Sequence, residues 1–282
     1  MEKFFKKGES KMHKRIDKGI YKAVFSDIDG TLLNSSHKIP ELTGKKIQEL
    51  QNKWIPFVLV SARMPKGMTG IRAELGSECP MICYSGALVV NGAMEPVYSE
   101  YLPEEIAKDL CDMIKMDSRN IVLNIYSNDC WYVENLTNPW IKIEMDITGI
   151  CAEEVSFQSG DIYKEVHKLL CMGEKEEIKA LEEKLIQQFP DIRIYRSKDT
   201  YLEIMSMQAS KSNAIRILEE KFQISSDEVL AFGDSHNDID MLEHAGLGVA
   251  MGNADDEVKA AADMVTDSND QEGLRKILEL AF

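Results

Sequence analysis

The sequence predicts an α/β protein: a parallel-sheet core whose chain is interrupted by an α+β insertion. Three observations carry that prediction. Apolar, β-prone runs alternate with amphipathic helical runs at both ends of the chain, the pattern of strands joined by crossover helices. Between residues 87 and 200 this gives way to hairpins and two helices. Two of the terminal strands also stop at aspartates, Asp27-x-Asp29 early and Asp234-x-x-x-Asp238 late.

Taken in order, residues 24–26 end the first strand, and Pro40 opens a helix carrying Leu42, Ile47 and Leu50. Residues 56–60 form a continuous apolar run, as in a parallel strand buried on both faces, and 81–84 form another. Runs at 87–90 and 93–98 flank Asn91-Gly92, which predicts a hairpin closed by a tight primed turn. A second hairpin joins 121–126 to 130–133 through Ser127-Asn128-Asp129. Residues 103–116 place Ile106, Leu110, Met113 and Ile114 on one helical face; 174–189 do so with Ile178, Leu181, Leu185 and Ile186. After Ser210 the alternation resumes as helix 214–222, strand 228–232, helix 238–244, strand 247–251 and helix 271–280. The organisation read from this is a basic, disordered leader over 1–19, a core from 20–86 and 201–282, and a cap over 87–200.

At 282 residues the chain can form one large domain or two ordinary ones, and a hydrophobic content of 44% excludes a disordered protein. A formal charge of -15 argues against nucleic acid or an anionic membrane as partner. An anionic substrate would therefore need local positive charge at its site. The six cysteines (Cys79, Cys83, Cys111, Cys130, Cys151, Cys171) form no C-x-x-C pair and read as reduced, mostly buried thiols of a cytoplasmic protein. Lys3, Lys6, Lys7, Lys11, Lys14, Arg15 and Lys18 make the leader basic, Phe4-Phe5 is too short for a signal-peptide core, and Met12 offers an alternative start. No stretch reaches the length of a membrane span.

A strand that ends at paired carboxylates delivers them to the crevice at the carboxyl edge of its sheet, where open α/β sheets bind ligands. The late cluster, Gly233-Asp234-Ser235-His236-Asn237-Asp238, also follows an apolar strand. If both strands share one sheet, the carboxylates converge and cannot all stay ionised without a cation. An all-oxygen set suits Mg²⁺. Helix capping explains Asp238 alone equally well, but not two clusters at two strand ends. Ser61, in Val60-Ser61-Ala62-Arg63, can hold a phosphoryl oxygen or cap a helix. Lys211 lies just before a helix, where an isolated lysine is ordinarily solvated. Gly246-x-Gly248-x-x-x-Gly252 departs by one position from a dinucleotide fingerprint and reads as turn glycines.

In combination, Asp27-x-Asp29-Gly30-Thr31, Ser61, Lys211 and Gly233-Asp234-x-x-Asn237-Asp238 resemble the four ordered motifs of the haloacid-dehalogenase-like (HAD) phosphatases. The closest likeness is to the Cof-type subfamily, over residues 20–282. The resemblance implies a Rossmann-like parallel-sheet HAD core with an inserted α+β cap. It implies a Mg²⁺-dependent phosphatase, monomeric or weakly homo-oligomeric, acting on a small phosphorylated metabolite such as a sugar phosphate. Asp27 would be the nucleophile, forming an aspartyl-phosphate. Asp29 would act as acid and then base, with its carbonyl on the metal; Asp234 would bind the metal and Asp238 support it. Ser61 and Lys211 would hold the phosphoryl oxygens, with Gly30, Thr31, Arg63 and Asn237 in supporting places. The role of Asp29 needs a proton near neutral pH, above the reference of about 3.9, which partial burial and neighbouring carboxylates would favour. Family members commonly have Thr-Gly-Arg where this chain has Ser61-Ala62-Arg63, and Asn-Gly-Ala where it has Ser85-Gly86-Ala87. The first change keeps the hydroxyl; the second removes an amide near the cap hinge. Two other readings stay open: a phosphomutase of the phosphomannomutase type, and a non-catalytic sugar-phosphate binding protein.

Overall fold

A computed structural model describes residues 15–117, 120–158 and 160–282. Lys3, Lys6, Lys7, Lys11, Lys14 and the alternative start at Met12 lie outside the described residues. The chain begins with β1 (Ala23–Asp27), α1 (Glu41–Asn52), β2 (Phe57–Val60), α2 (Lys66–Glu74) and β3 (Met81–Cys83). Next come β4 (Leu88–Val90), β5 (Pro96–Ser99), α3 (Glu104–Asp117), β6 (Val122–Ser127), β7 (Cys130–Val133), α4 (Pro139–Thr148) and β8 (Glu153–Glu154). β9 (Val166–Met172), α5 (Lys175–Gln188), β10 (Ile192–Lys198) and β11 (Tyr201–Ser206) follow. The chain closes with α6 (Lys211–Phe222), β12 (Val229–Gly233), α7 (Ile239–His244), β13 (Leu247–Ala250), α8 (Asp256–Ala261), β14 (Met264–Val265) and α9 (Gly273–Ala281). These elements form two compact units, one from the segments up to Ile55 and from Ile224 onward, the other from Pro56 to Gln223.

The first unit is built on parallel strands in the order β14-β13-β12-β1. Every residue of β1, β12 and β13 is buried, which is why the sequence there reads as unbroken apolar runs rather than alternation. Helix α1 buries Thr43, Ile47 and Leu50, but Leu42, expected on that face, is 52% exposed. Five positions from Ile47 leave it about 140° out of phase on a helix of 3.6 residues per turn. The leader is not wholly separate from this unit, because Gly19 N–H donates to the Ala281 carbonyl at 3.0 Å.

The second unit holds two strand sets. In one, β2 and β3 are parallel, and β4 and β5 add antiparallel neighbours beyond β3. The β4–β5 connection is not the two-residue primed turn that Asn91-Gly92 predicts. Asn91 N–H pairs with the Glu95 carbonyl at 2.9 Å, so three residues form the loop, and Met94 takes the left-handed position at φ 65°. The Asn91 side chain instead accepts from the amides of Ala93 and Glu95. The other set is a sheet of order β10-β11-β9-β6-β7-β8. One of its faces packs Leu123, Ile125, Leu169, Cys171, Leu202 and Ile204 with Leu110 and Ile114 of α3 and Ile178 and Leu181 of α5. Helix α4 is a third helix in a stretch where the sequence pattern gave two. Its stop and start signals were present: Asn138 caps the Trp140 amide at 2.9 Å, Pro139 is the first helical residue, and Gly149 ends it left-handed.

All six cysteines are free; Cys83, Cys111 and Cys171 are buried, Cys79 and Cys130 half-buried and Cys151 exposed, so fewer are interior than the sequence suggests. Among the described residues no helix is long and apolar enough to cross a membrane.

His167 in β9 gives the fold a pH dependence. Its Nδ1 accepts the Asn128 amide at 3.0 Å, which puts the ring proton on Nε2, an atom buried with no hydrogen-bond partner among the described residues. Burial lowers its pKa to about 4. An unfolded chain takes up this proton below about pH 6.5, whereas the folded one refuses it until about 4. Stability is complete above the upper value and drains as pH falls between the two, by up to about 3 kcal/mol. Denaturation midpoints from pH 7 to 4.5 should fall less steeply in His167→Gln, which keeps an acceptor for Asn128; identical slopes would reject the assignment.

Candidate active site

The acidic centre follows from strand register. Ser26 pairs with Phe232, so Asp27 stands level with Gly233, and Asp234 is the first residue beyond the strand end. Oxygens of Asp27, Asp234 and Asp238 all lie within 4.8 Å of one another. Asp27 is 7% exposed and Asp238 fully buried. Three carboxylates this close form an all-oxygen set of the kind that binds a hard divalent cation. The donor set fits Mg²⁺.

Each neighbour holds one part of this centre. Thr31 donates its hydroxyl to Asp234 Oδ1 at 2.6 Å. Gly30 sits at φ 82°, and a side chain there would run into the Asp234 carboxylate. Asp238 Oδ2 accepts the amides of Asp234 and Ser235 at 3.0 and 2.9 Å. The helix-capping reading and the metal-cluster reading of Asp238 therefore both describe it. Asn237 is half-buried, and its Oδ1 has no hydrogen-bond partner among the described residues. Asp29 departs from expectation: its position on the turn after β1 leaves it exposed rather than partly buried.

One residue escaped the sequence reading. Asn253 donates to the Gly30 carbonyl at 2.9 Å and accepts the Asn269 amide, while Asn269 holds the Leu33 carbonyl at 2.8 Å. Together they pin the turn that follows Asp27. The available signal was its place just past the apolar run 247–251, in a stretch read as turn glycines. Gly248 in that stretch is a strand residue of β13, needed because a side chain would strike the Leu242 carbonyl.

The other predicted residues gather in the second unit. Ser61 follows β2 and is 2% exposed; its oxygen accepts the Arg63 amide at 3.2 Å, and its proton is not used in any hydrogen bond among the described residues. Its carbonyl accepts the Ser85 amide at 2.9 Å, and the Arg63 carbonyl accepts that of Tyr84 at 3.0 Å. Tyr84 and Ser85 both adopt φ 50°, a conformation that asparagine tolerates better than serine. Gly86, at φ 105°, lies so close to the Ser210 carbonyl and Lys211 amide that a side chain there would collide with both. These contacts bring Lys211 to the Ser61 loop. Lys211 is the first residue of α6, capped by Ser210, and is fully buried. A buried ammonium at the positive end of a helix works against both desolvation and the helix dipole. It is an interior charge, not the solvated surface residue that lysine usually is. The Arg63 guanidinium donates to the Gly67 carbonyl at 3.2 Å.

Residues 24–278 match the family of haloacid dehalogenase-like hydrolases. The chain is a Cof-type HAD hydrolase. A Haemophilus influenzae relative named "Putative phosphatase" is 40% identical over 267 residues, covering 93% of this chain and 99% of its own. A crystal structure from Thermotoga maritima is similar with a TM-score of 0.84 at 33% identity, covering 93% of this chain and 98% of that one. The solved HAD subclass IIB sugar phosphatase BT4131 is similar with a TM-score of 0.79 at 28% identity, covering 92% and 98%. The HAD hydrolase therefore has the α/β, Rossmann-like core expected of its motifs, and the resemblance read from its four motifs holds over nearly the whole chain.

Proposed function

We propose that this HAD hydrolase is a Mg²⁺-dependent phosphatase that releases phosphate from a small phosphorylated metabolite, a sugar phosphate or a similar monoester, in the cytoplasm. The observation that carries the reading is the convergence of the Asp27, Asp234 and Asp238 oxygens within 4.8 Å at the ends of two adjacent parallel strands. The phosphatase name of the Haemophilus influenzae relative and the sugar phosphatase BT4131 support it.

In this reading Asp27, Asp234 and Asp238, with the Asp29 carbonyl, hold the ion, which when bound neutralises phosphoryl charge. A carboxylate oxygen of Asp27 attacks phosphorus, and the ester P–O bond breaks. Asp29 gives its proton to the departing alkoxide. It then takes a proton from the water that attacks the aspartyl-phosphate, releasing inorganic phosphate and restoring Asp27. The family resemblance assigns Ser61 and Lys211 to the phosphoryl oxygens, which supplies local positive charge in a protein of net charge -15. We take the six-stranded sheet with its helices, within 87–200 and its closing strand, as the cap domain that the family resemblance implies.

The test is phosphate release across sugar phosphates, nucleotides and cofactor phosphates, with Mg²⁺ and with a chelator. Metal-dependent release from a few related compounds is the expected result. An isomeric sugar phosphate formed without free phosphate would replace this reading with the mutase. Silence in folded protein would replace it with the binding protein.

A further inference from the structure

The turn that carries Asp29 is held from outside itself. It leaves β1 after Asp27 and closes on the Ile28 carbonyl, which accepts the Leu32 and Leu33 amides at 3.1 and 2.9 Å. Two of its own carbonyls are bonded by side chains from the other end of the chain. Asn253, just beyond β13, donates to the Gly30 carbonyl at 2.9 Å; Asn269, past β14, donates to the Leu33 carbonyl at 2.8 Å. The two are joined, because Asn253 Oδ1 accepts the Asn269 amide at 3.0 Å. Where the turn ends, the Asp270 carboxylate accepts the Ser35 amide at 2.8 Å. The strand of the acidic centre sets the base of this clamp. Met251 N–H donates to the carbonyl of Gly233, the residue before Asp234, at 3.0 Å, and Gly252 N–H donates to the Asp267 carbonyl at 3.1 Å. Gly252 lies so close to the Thr266 carbonyl and the Ser268 amide that a side chain there would collide with both.

Stability is a weak reason for the clamp. Asn253 is exposed, and water satisfies a carbonyl at such a place once the amide is gone, so its bond has little net worth. What the converging amides secure is position. Thr31 also ties the turn, but to Asp234, a carboxylate that the phosphatase reading gives to the ion. The asparagine side chains bond to backbone atoms, so their hold does not depend on a metal. Asp27 closes β1 and is fixed by pairing with β12, which leaves the clamp little to add there. Asp29 is exposed on the turn itself, so the course of that backbone decides where its carboxyl starts from. A misplacement of about 1 Å can cost about a hundredfold in rate. We propose that Asn253 and Asn269 are positioning residues for departure of the leaving group: through the turn they hold, they set the Asp29 carboxyl against the ester oxygen. The proposal rests on the phosphatase reading above, in which Asp29 is the acid. As the ester P–O bond breaks, its electron pair stays on the departing oxygen, which takes the Asp29 proton and leaves as the alcohol; phosphorus stays bonded to Asp27. A primary alcohol needs that proton, whereas p-nitrophenolate, a weak base, leaves without it.

The experiment measures kcat/KM for p-nitrophenyl phosphate and for the primary-alcohol monophosphate that wild type turns over fastest. The proteins are wild type, Asn253→Ala, Asn269→Ala, Asp29→Asn and the double variant Asp29→Asn/Asn253→Ala. This parameter covers only the steps up to loss of the alcohol, so opening of the aspartyl-phosphate does not enter. The ratio of two substrates within one preparation does not depend on the fraction folded, so a destabilised variant still reports. The ratio of the alcohol ester to p-nitrophenyl phosphate should fall at least about tenfold in Asn253→Ala, a part of the roughly 10²–10⁴-fold that a general acid supplies. It should fall less steeply in Asn269→Ala and most in Asp29→Asn. On the Asp29→Asn background, Asn253→Ala should change it by no more than about twofold, because a residue that acts through Asp29 then has nothing to act on. Equal losses on both substrates, an unchanged ratio in Asn253→Ala, or a further tenfold fall on the Asp29→Asn background overturn the positioning role and leave the phosphatase reading standing. An unchanged ratio in Asp29→Asn overturns the acid role of Asp29 and the clamp's role with it. A folded wild type that releases phosphate from neither compound overturns the phosphatase reading itself.

Discussion

Asp27→Asn should lower phosphate release by about 10⁴-fold or more, the scale on which loss of a catalytic nucleophile is felt. The amide matches the carboxylate in shape but is a far poorer nucleophile, and it brings one charge fewer to the ion. The fold should not suffer. Asp27 is 7% exposed and shares its surroundings with Asp234 and Asp238, so a neutral group there relieves repulsion in metal-free protein. Its thermal midpoint without Mg²⁺ should equal or exceed that of wild type. Activity retained within tenfold would remove Asp27 from the nucleophile's place; a collapsed midpoint would mean that the carboxylate is structural.

Mg²⁺ should raise the thermal midpoint of wild type and do so much less in Asp234→Asn. An ion that binds only the folded state stabilises it by about 2.7 kcal/mol at a hundred times its dissociation constant, a shift of a few degrees for a chain of this size. The amide oxygen in Asp234→Asn would still accept the Thr31 hydroxyl, which Asp234 now receives at 2.6 Å, so the variant separates charge from local geometry. Turnover should vanish in chelator and return with Mg²⁺ in wild type, while Asp234→Asn needs far more metal. An equal Mg²⁺ shift in both proteins, or none in wild type, would refute metal binding at this cluster.

Much of this was legible because the relevant signals are local. The apolar runs ending at Asp27 and Gly233 are buried strands, and the two strands are direct parallel neighbours. The helices at 103–116 and 174–189 keep their predicted inward faces, apart from Ile186, which is 47% exposed at the edge of its stripe. Failures came where two local rules competed. Asn91-Gly92 is a strong turn signal, yet strand register required one more loop residue and moved the left-handed position to Met94. Asp29 is exposed because it lies on the turn beyond β1, where the strand's burial no longer reaches it. Lys211 looked like surface because a lone lysine carries no periodicity; only the approach of Gly86 to Ser210 reveals it as interior.

The sequence by itself determined the α/β class, the strand-end aspartates and the order of the four motifs, since each depends on residues adjacent in the chain. Tertiary structure alone decided that Asn253 holds the turn beside Asp27, and that Lys168, Glu203 and Tyr195 meet on one buried sheet face. Those residues are far apart in sequence, and Lys168 and Glu203 lie in strands whose alternation is masked by burial on both sides. The meeting of Lys168, Glu203 and Tyr195 is fixed by strand register, which no local pattern encodes and which a slip of one residue would reverse.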